Sequence, residues 1–124
     1  MKLAEVFVAP EAFKKLAATK LPPKMAYRLL KYLKMVLAEF EVIESQRARL
    51  IRAAAGAKEN EDVSLKPGTL EYSKFVKEFN ATLAVDADLK PVDMKLDDLI
   101  SALDSDPGNR LSAEDLSILE PFFV

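Results

Sequence analysis

Five cations, Lys20, Lys24, Arg28, Lys31 and Lys34, recur at intervals of three and four residues. On a helix this spacing puts them on one side. Such a strip can be a solvated face, a dock for an acidic segment, or a phosphate-binding surface for nucleic acid. Like charges three or four apart repel by roughly 0.2–0.5 kcal/mol each. Positive charge near a helix N-terminus also opposes the macrodipole. Helix preference therefore does not account for the strip. A solvated face is the simplest reading, and docking of the Asp/Glu-rich C-terminal third comes next. Nucleic acid comes last: Tyr27 and Tyr32 flank the strip, but no recognised nucleic-acid motif accompanies it.

Glu44 and Arg47 fall between Ile43 and Leu50, on what is otherwise an apolar face. A charged layer in a hydrophobic seam costs stability and can fix register or subunit number. The expectation is an intrahelical ion pair completed by Glu78 or Glu71. Asp104, Asp106 and Gly108, with Asp115 following, distantly resemble a calcium loop. Pro107 interrupts that loop, the glycine is one place early, and the closing glutamate is missing. A turn leading into a capped helix is the better reading, and no metal or cofactor is expected. Asp97 and Asp98 read as helix N-terminal charges. With no Gly-rich phosphate loop or nucleophile elbow, catalysis is not expected.

The 124 residues include no Cys and no His. Thiolate chemistry, disulfides and imidazole acid–base work are therefore excluded for this chain. The net charge of −2 hides a division. Residues 1–58 hold 12 Lys/Arg against 5 Asp/Glu, and residues 59–124 hold 6 against 15, giving +7 and −9. The halves attract each other, within one chain or between chains. The apolar start is broken by Glu5 and Pro10, and no stretch is long enough to span a bilayer. Together with the lack of cysteine, this predicts a cytosolic protein.

The elements that must carry these residues are mainly α-helical, in one domain spanning 1–124. Pro10 opens a short helix over 10–19. Pro22 and Pro23 end it and start a long helix over 23–55, with Leu29, Leu33, Val36, Phe40, Ile43, Leu50 and Ala54 on one face, widened by Leu30, Leu37 and Ile51. Gly56 stops it. A polar connection over 57–68 ends in a Pro-Gly turn. Thr69 then caps a shorter antiparallel helix over 69–85 with Leu70, Phe75, Val76, Phe79 and Leu83 on one side. Residues 1–85 thus form a helical hairpin region. An acidic C-terminal segment, 86–124, packs on it. Alternation around Val92, Met94 and Leu96 predicts an extended, β-containing piece over 89–96. Asp98 to Ala102 is compatible with helix, 104–109 reads as a turn, and Ser112 to Asp115 forms a capping box that opens a last short helix. Phe122 and Phe123 make the close apolar, for packing or for binding.

A 33-residue helix is about 50 Å long. A compact domain of this size is only about 35 Å across. The helix therefore projects, or the molecule is elongated, and part of the apolar stripe is left for a partner.

Leu21, Pro22, Ala26, Tyr27 and Leu29, the Glu44/Arg47 pair on a long helix, a polar connection, a return helix, and a close of Leu111, Ser112, Ala113, Asp115, Leu116, Leu119, Glu120, Pro121 and Phe122 give a layout found elsewhere. It resembles a group of small uncharacterised tailed-phage and prophage proteins built on a long helical hairpin. The resemblance implies expression in the cytoplasm of a bacterial host, with virion association open, and supplies no catalytic residues. The leading expectation is a phage-encoded helical accessory or assembly protein, coiled-coil-like and homo-oligomeric, that contacts a phage or host protein and no membrane. Its interaction surface would comprise Lys20, Lys24, Arg28, Lys31, Lys34, Glu44, Arg47, Phe122 and Phe123. One alternative is an acidic inhibitor of a host protein that uses Glu59, Glu61, Asp62, Asp86, Asp88, Asp97 and Asp98 as a nucleic-acid mimic. The other is a weak nucleic-acid binder using the 20–34 strip.

Overall fold

The computed structural model describes residues 1–57 and 64–124. Six α-helices are found among them: α1 Leu3–Phe7, α2 Pro10–Ala17, α3 Pro23–Ala55, α4 Leu70–Leu83, α5 Leu96–Asp104 and α6 Ala113–Leu119. A short 3-10 turn, Glu120–Phe122, follows α6.

Helix α3 is unbroken and has the bounds its sequence predicts. Pro23 occupies its first turn, where a missing N–H costs nothing. At the other end Gly56 adopts φ 66°, a left-handed conformation that suits glycine. The Gly56 and Ala57 amides donate to the carbonyls of Ala53 and Arg52, the double bond of a Schellman stop. The predicted 57–68 connection falls partly on 58–63, outside the described residues. Its end is visible: Gly68 has φ 87° and the Thr69 amide donates to the Lys66 carbonyl at 3.4 Å, as a Pro-Gly type II turn requires. Thr69 then caps α4, its hydroxyl accepting from the Tyr72 amide at 3.2 Å.

Helix α3 packs against α1, α2 and α4. The Phe7 ring stacks on Phe40 of α3 at 5.8 Å and meets Phe79 of α4 edge-on at 5.3 Å. Phe79, near the end of α4, therefore lies beside the middle of α3, so α4 runs back along it. The start of the chain locks this arrangement. Leu3 N–H donates to the Val85 carbonyl, Ala87 N–H donates to the Met1 carbonyl, and the Lys2 ammonium sits 2.8 Å from Asp86.

Over the first half of α3, the core is closed by α2, α5, α6 and the last residues. Phe13, Val36, Leu99, Leu119 and Phe122 are buried together. Phe122 meets Phe13 edge-on at 5.1 Å and Tyr32 at 6.4 Å. After Ile43 no α3 residue is buried among the described residues, while Leu50, Ile51 and Ala54 remain half-covered. The accessible surface is 8332 Å². Mass scaling gives about 6,600 Å² for a compact monomer of this size, so the chain exposes about a quarter more.

Several expectations are corrected. No strand is found among the described residues, so the C-terminal segment is helical and irregular rather than β-containing. The alternation at 89–96 yields one isolated bridge, Val92 with Phe123. Pro91 has no N–H to give, and the Met94 amide turns back onto the Val92 carbonyl at 2.8 Å, so no ladder can extend. The helix at 10–19 stops at Ala17, and that at 69–85 spans 70–83. Leu70 is 87% exposed instead of joining the apolar side of α4. Helix α1 has no counterpart in the sequence reading.

Phe122 is wholly buried against two aromatic rings, so Phe122→Ala leaves a cavity. It should lower unfolding stability by about 3–5 kcal/mol, measured by urea denaturation. A loss below about 1 kcal/mol would show that the last residues do not close the core.

Candidate functional site

The cationic strip forms as spaced, with one change. Lys24, Arg28, Lys31 and Lys34 are all exposed on α3, whereas Lys20 precedes the helix, in the α2–α3 connection. No carboxylate among the described residues lies within ion-pair distance of those four. Tyr27 is 62% exposed beside them, with the Lys31 ammonium 5.5 Å from its ring centroid, a cation–π distance. Tyr32, expected to flank the strip, turns inward instead. It is 5% exposed, and its hydroxyl donates to the Lys90 carbonyl at 2.7 Å. Burial pushes its pKa up to about 12. Arg28 and Lys31 rim a shallow depression of about 330 Å³ whose walls include Met35, Val92 and Asp93.

The ion pairs of the acidic segment fall elsewhere, on α2 and its connection to α3. Lys15 reaches Asp115 at 3.2 Å, and Lys20 stands 4.0 Å from Asp106. The stronger tie is Asn109. Its Oδ1 accepts from the Lys20 amide at 2.8 Å, while its Nδ2 donates to the carbonyls of Lys20 at 2.8 Å and Leu103 at 3.2 Å. One amide side chain thus clasps the backbone of the connection. It follows a turn in which Asp106 Oδ1 accepts from the Gly108 amide at 2.8 Å.

Asp115 is the buried carboxylate of the described residues. It completes the predicted capping box: its amide donates to Ser112 Oγ at 3.1 Å and its Oδ2 accepts from the Ser112 amide at 3.0 Å. The Ser112 amide holds the Asp115 pKa below the usual range, burial opposes this, and Lys15 adds to the lowering. Asp86 is lowered in the same direction by the Lys2 ammonium. Asp106 and Asp115, two of the acids in the calcium-like spacing, are thus engaged by a turn and a cap. No group of three metal-ligating side chains occurs among the described residues.

Glu44 and Arg47 form the intrahelical pair, at 3.9 Å with both side chains about two-fifths exposed. The pair is not a buried layer, and neither Glu71 nor Glu78 completes it within ion-pair distance. Phe122 and Phe123, offered above as interaction surface, are 0% and 7% exposed and belong to the core; Val124, at 64%, is the accessible one of the three. A second apolar feature is a cleft of about 210 Å³ between α2 and the start of α3, with Leu16, Leu21, Leu30 and Leu33 among its walls. No helix among the described residues is long and apolar enough to cross a membrane.

Comparisons with protein-family models, curated proteins and solved structures found no match to this chain.

The site yields two expectations. Asn109 holds the connection through the Lys20 backbone, so Asn109→Ala should cost about 1–2 kcal/mol. Lys20→Ala, which leaves that backbone in place, should stay within about 0.5 kcal/mol of the parent. Equal losses in urea titrations would count against the clasp. The second concerns pH. Depressed carboxylate pKa values stabilise the fold at and above the ordinary Asp value of about 3.9, and that contribution is lost as pH falls through the folded values. Melting temperature should therefore drop below about pH 4, and drop less steeply in Asp115→Ala. Parallel curves for parent and variant would show that Asp115 is not among the groups responsible.

Proposed function

We propose that this protein is a helical assembly or accessory component that works through protein–protein contacts rather than catalysis. The resemblance to tailed-phage and prophage proteins implies expression in the cytoplasm of a bacterial host. The observation that carries the reading is the outward side of α3. Four exposed cations without carboxylate partners among the described residues share that side with exposed Tyr27, Leu30, Met35 and Val42. Mixed charge and large apolar side chains on one rigid element suit a protein partner.

A weak nucleic-acid surface is the second reading, favoured by Tyr27 lying beside Lys31 with Lys24, Arg28 and Lys34 close by. The acidic-mimic alternative has less support. Asp86 is engaged by Lys2, and Glu59, Glu61 and Asp62 lie outside the described residues.

The two readings separate in a bacterial host carrying a related phage or prophage. A tagged chain should recover a protein in cross-linked complexes, and the triple change Lys24→Glu, Arg28→Glu and Lys31→Glu should reduce that recovery at least about tenfold. If instead the purified chain retards DNA or RNA, with a salt slope that falls by about one for each cation neutralised, the nucleic-acid reading replaces it.

A further inference from the structure

Helix α3 carries a second periodic strip, on the side away from the core. Arg28, Lys31, Met35, Ala38, Val42, Ser45, Arg49 and Arg52 follow one another at alternating steps of three and four residues. This is the a/d spacing by which one helix lies along another. All but Arg52 are exposed, Met35 at 54% and Val42 at 58%, and Arg52 is half-buried. The strip is about 36 Å long at the helical rise. Scattered exposed apolar residues need no explanation, but Met35, Ala38 and Val42 hold three consecutive positions of the repeat. Ala38 and Ser45 are small, which lets a second helix axis come close.

Charge along the strip is ordered. Arg28 and Lys31 precede the apolar centre, and Arg49 and Arg52 follow it. Glu39 and Glu41 adjoin the centre, one on each side of the strip, and Lys34 adjoins Met35. Val92 and Asp93 wall a depression with Arg28, Lys31 and Met35, and Asp93 is outside ion-pair distance of both cations.

A second copy does not satisfy this order. Parallel pairing in register sets each cation layer against itself, and antiparallel pairing sets Arg28 on Arg52 and Lys31 on Arg49. Sliding antiparallel copies by one heptad sets Lys31 on Val42, or Ala38 on Arg49. Like charges in facing layers oppose association. Phosphates along the same strip would meet Glu39 and Glu41 in the middle. A helix with carboxylates at both ends, an apolar middle and cations beside Glu39 and Glu41 matches every layer.

We propose that the strip docks a single helix of a partner protein, acidic at both ends and apolar in the middle, lying along α3. The proposal rests on the protein-contact reading above and names the chemistry of the partner.

Titration calorimetry of the full chain against three designed helical peptides of about 28 residues tests it. The first has Leu at the a and d positions facing Met35, Ala38, Val42 and Ser45. It has Glu at those facing Arg28, Lys31, Arg49 and Arg52, and Lys beside Glu39 and Glu41. The second keeps this composition with the leucines moved off heptad spacing, and the third carries Lys in place of each Glu. The first should bind at micromolar concentration in about 50 mM NaCl, and at least about tenfold more weakly in 500 mM. The second and third should each bind at least about tenfold more weakly than the first. M35E/V42E, at two exposed positions, should weaken the first peptide at least about tenfold, and R28E/K31E/R49E should prefer the third. Circular dichroism checks that each variant folds, and if one does not, the three peptides on the parent still decide. Equal binding of the first two peptides overturns the proposal, because the attraction then has no register. So does a parent that dimerises alone and loses the dimer in M35E/V42E, since the strip then holds a second copy. A chain that binds no peptide yet recovers a host protein through Lys24, Arg28 and Lys31 overturns the docked helix and leaves the protein-contact reading standing. One that binds no peptide and retards DNA or RNA overturns both.

Discussion

A single continuous helix longer than the rest of the fold can cover sets the terms for everything else. Helix α3 runs 33 residues, and its nearest neighbours α1, α2 and α4 have 5, 8 and 14. Isolated helices as short as α1 and α2 are not stable in water, so they exist here because they pack. Each short element is stationed where it buries most of the α3 stripe: Phe7 over Phe40, Phe13 against Tyr32, and Phe79 against Phe7. The remaining gap over the first half of α3 is closed from the other end of the chain by Leu99, Leu119 and Phe122. The last turns of α3 are only half-covered among the described residues.

The division of charge plays a narrower part than its size suggests. The acidic segment is attracted to the basic half, yet the contacts that fix it are short-range: the Asn109 clasp on the Lys20 backbone and the Asp115 cap with Lys15. Exposed charges at longer range are screened within about 8–10 Å at moderate salt and hold position poorly. Hydrogen bonds to backbone need fixed geometry, which is why they decide where 86–124 sits. The α3 cations are left over from that choice.

What the sequence makes legible is what a few neighbouring residues determine. The bounds of α3 follow from Pro23 and Gly56. The start of α4 follows from Thr69, and that of α6 from the Ser112–Asp115 box. Each depends on backbone groups within about four residues. The strip of cations is legible for the same reason, being pure helical spacing. Long-range choices are not. Tyr32 could have faced the strip, and it turns inward because Lys90, 58 residues on, offers a carbonyl. Leu70 matches the apolar side of α4 by spacing and still finds nothing to cover it. Helix α1, at five residues, is too short to show a period. The single Val92–Phe123 bridge depends on where Phe122 is buried, which no local pattern encodes.

Burial of Phe122 and Phe123 draws the apolar close of the chain into the core and leaves Val124 as its exposed residue. Had those rings stayed outside, the apolar close would have been the obvious contact, remote from any charge. Drawn into the core beside Phe13 and Tyr32, they pull the backbone of 122–124 against 92–94. That pairing joins Val92, in the wall of the depression rimmed by Arg28 and Lys31, to Phe123, in the wall of the concavity that holds Lys95, Asp97 and Glu120. The hydrophobic effect fixes the rings, and the rings fix the pairing. The pairing is a consequence of closing the core, and it joins residues about thirty positions apart.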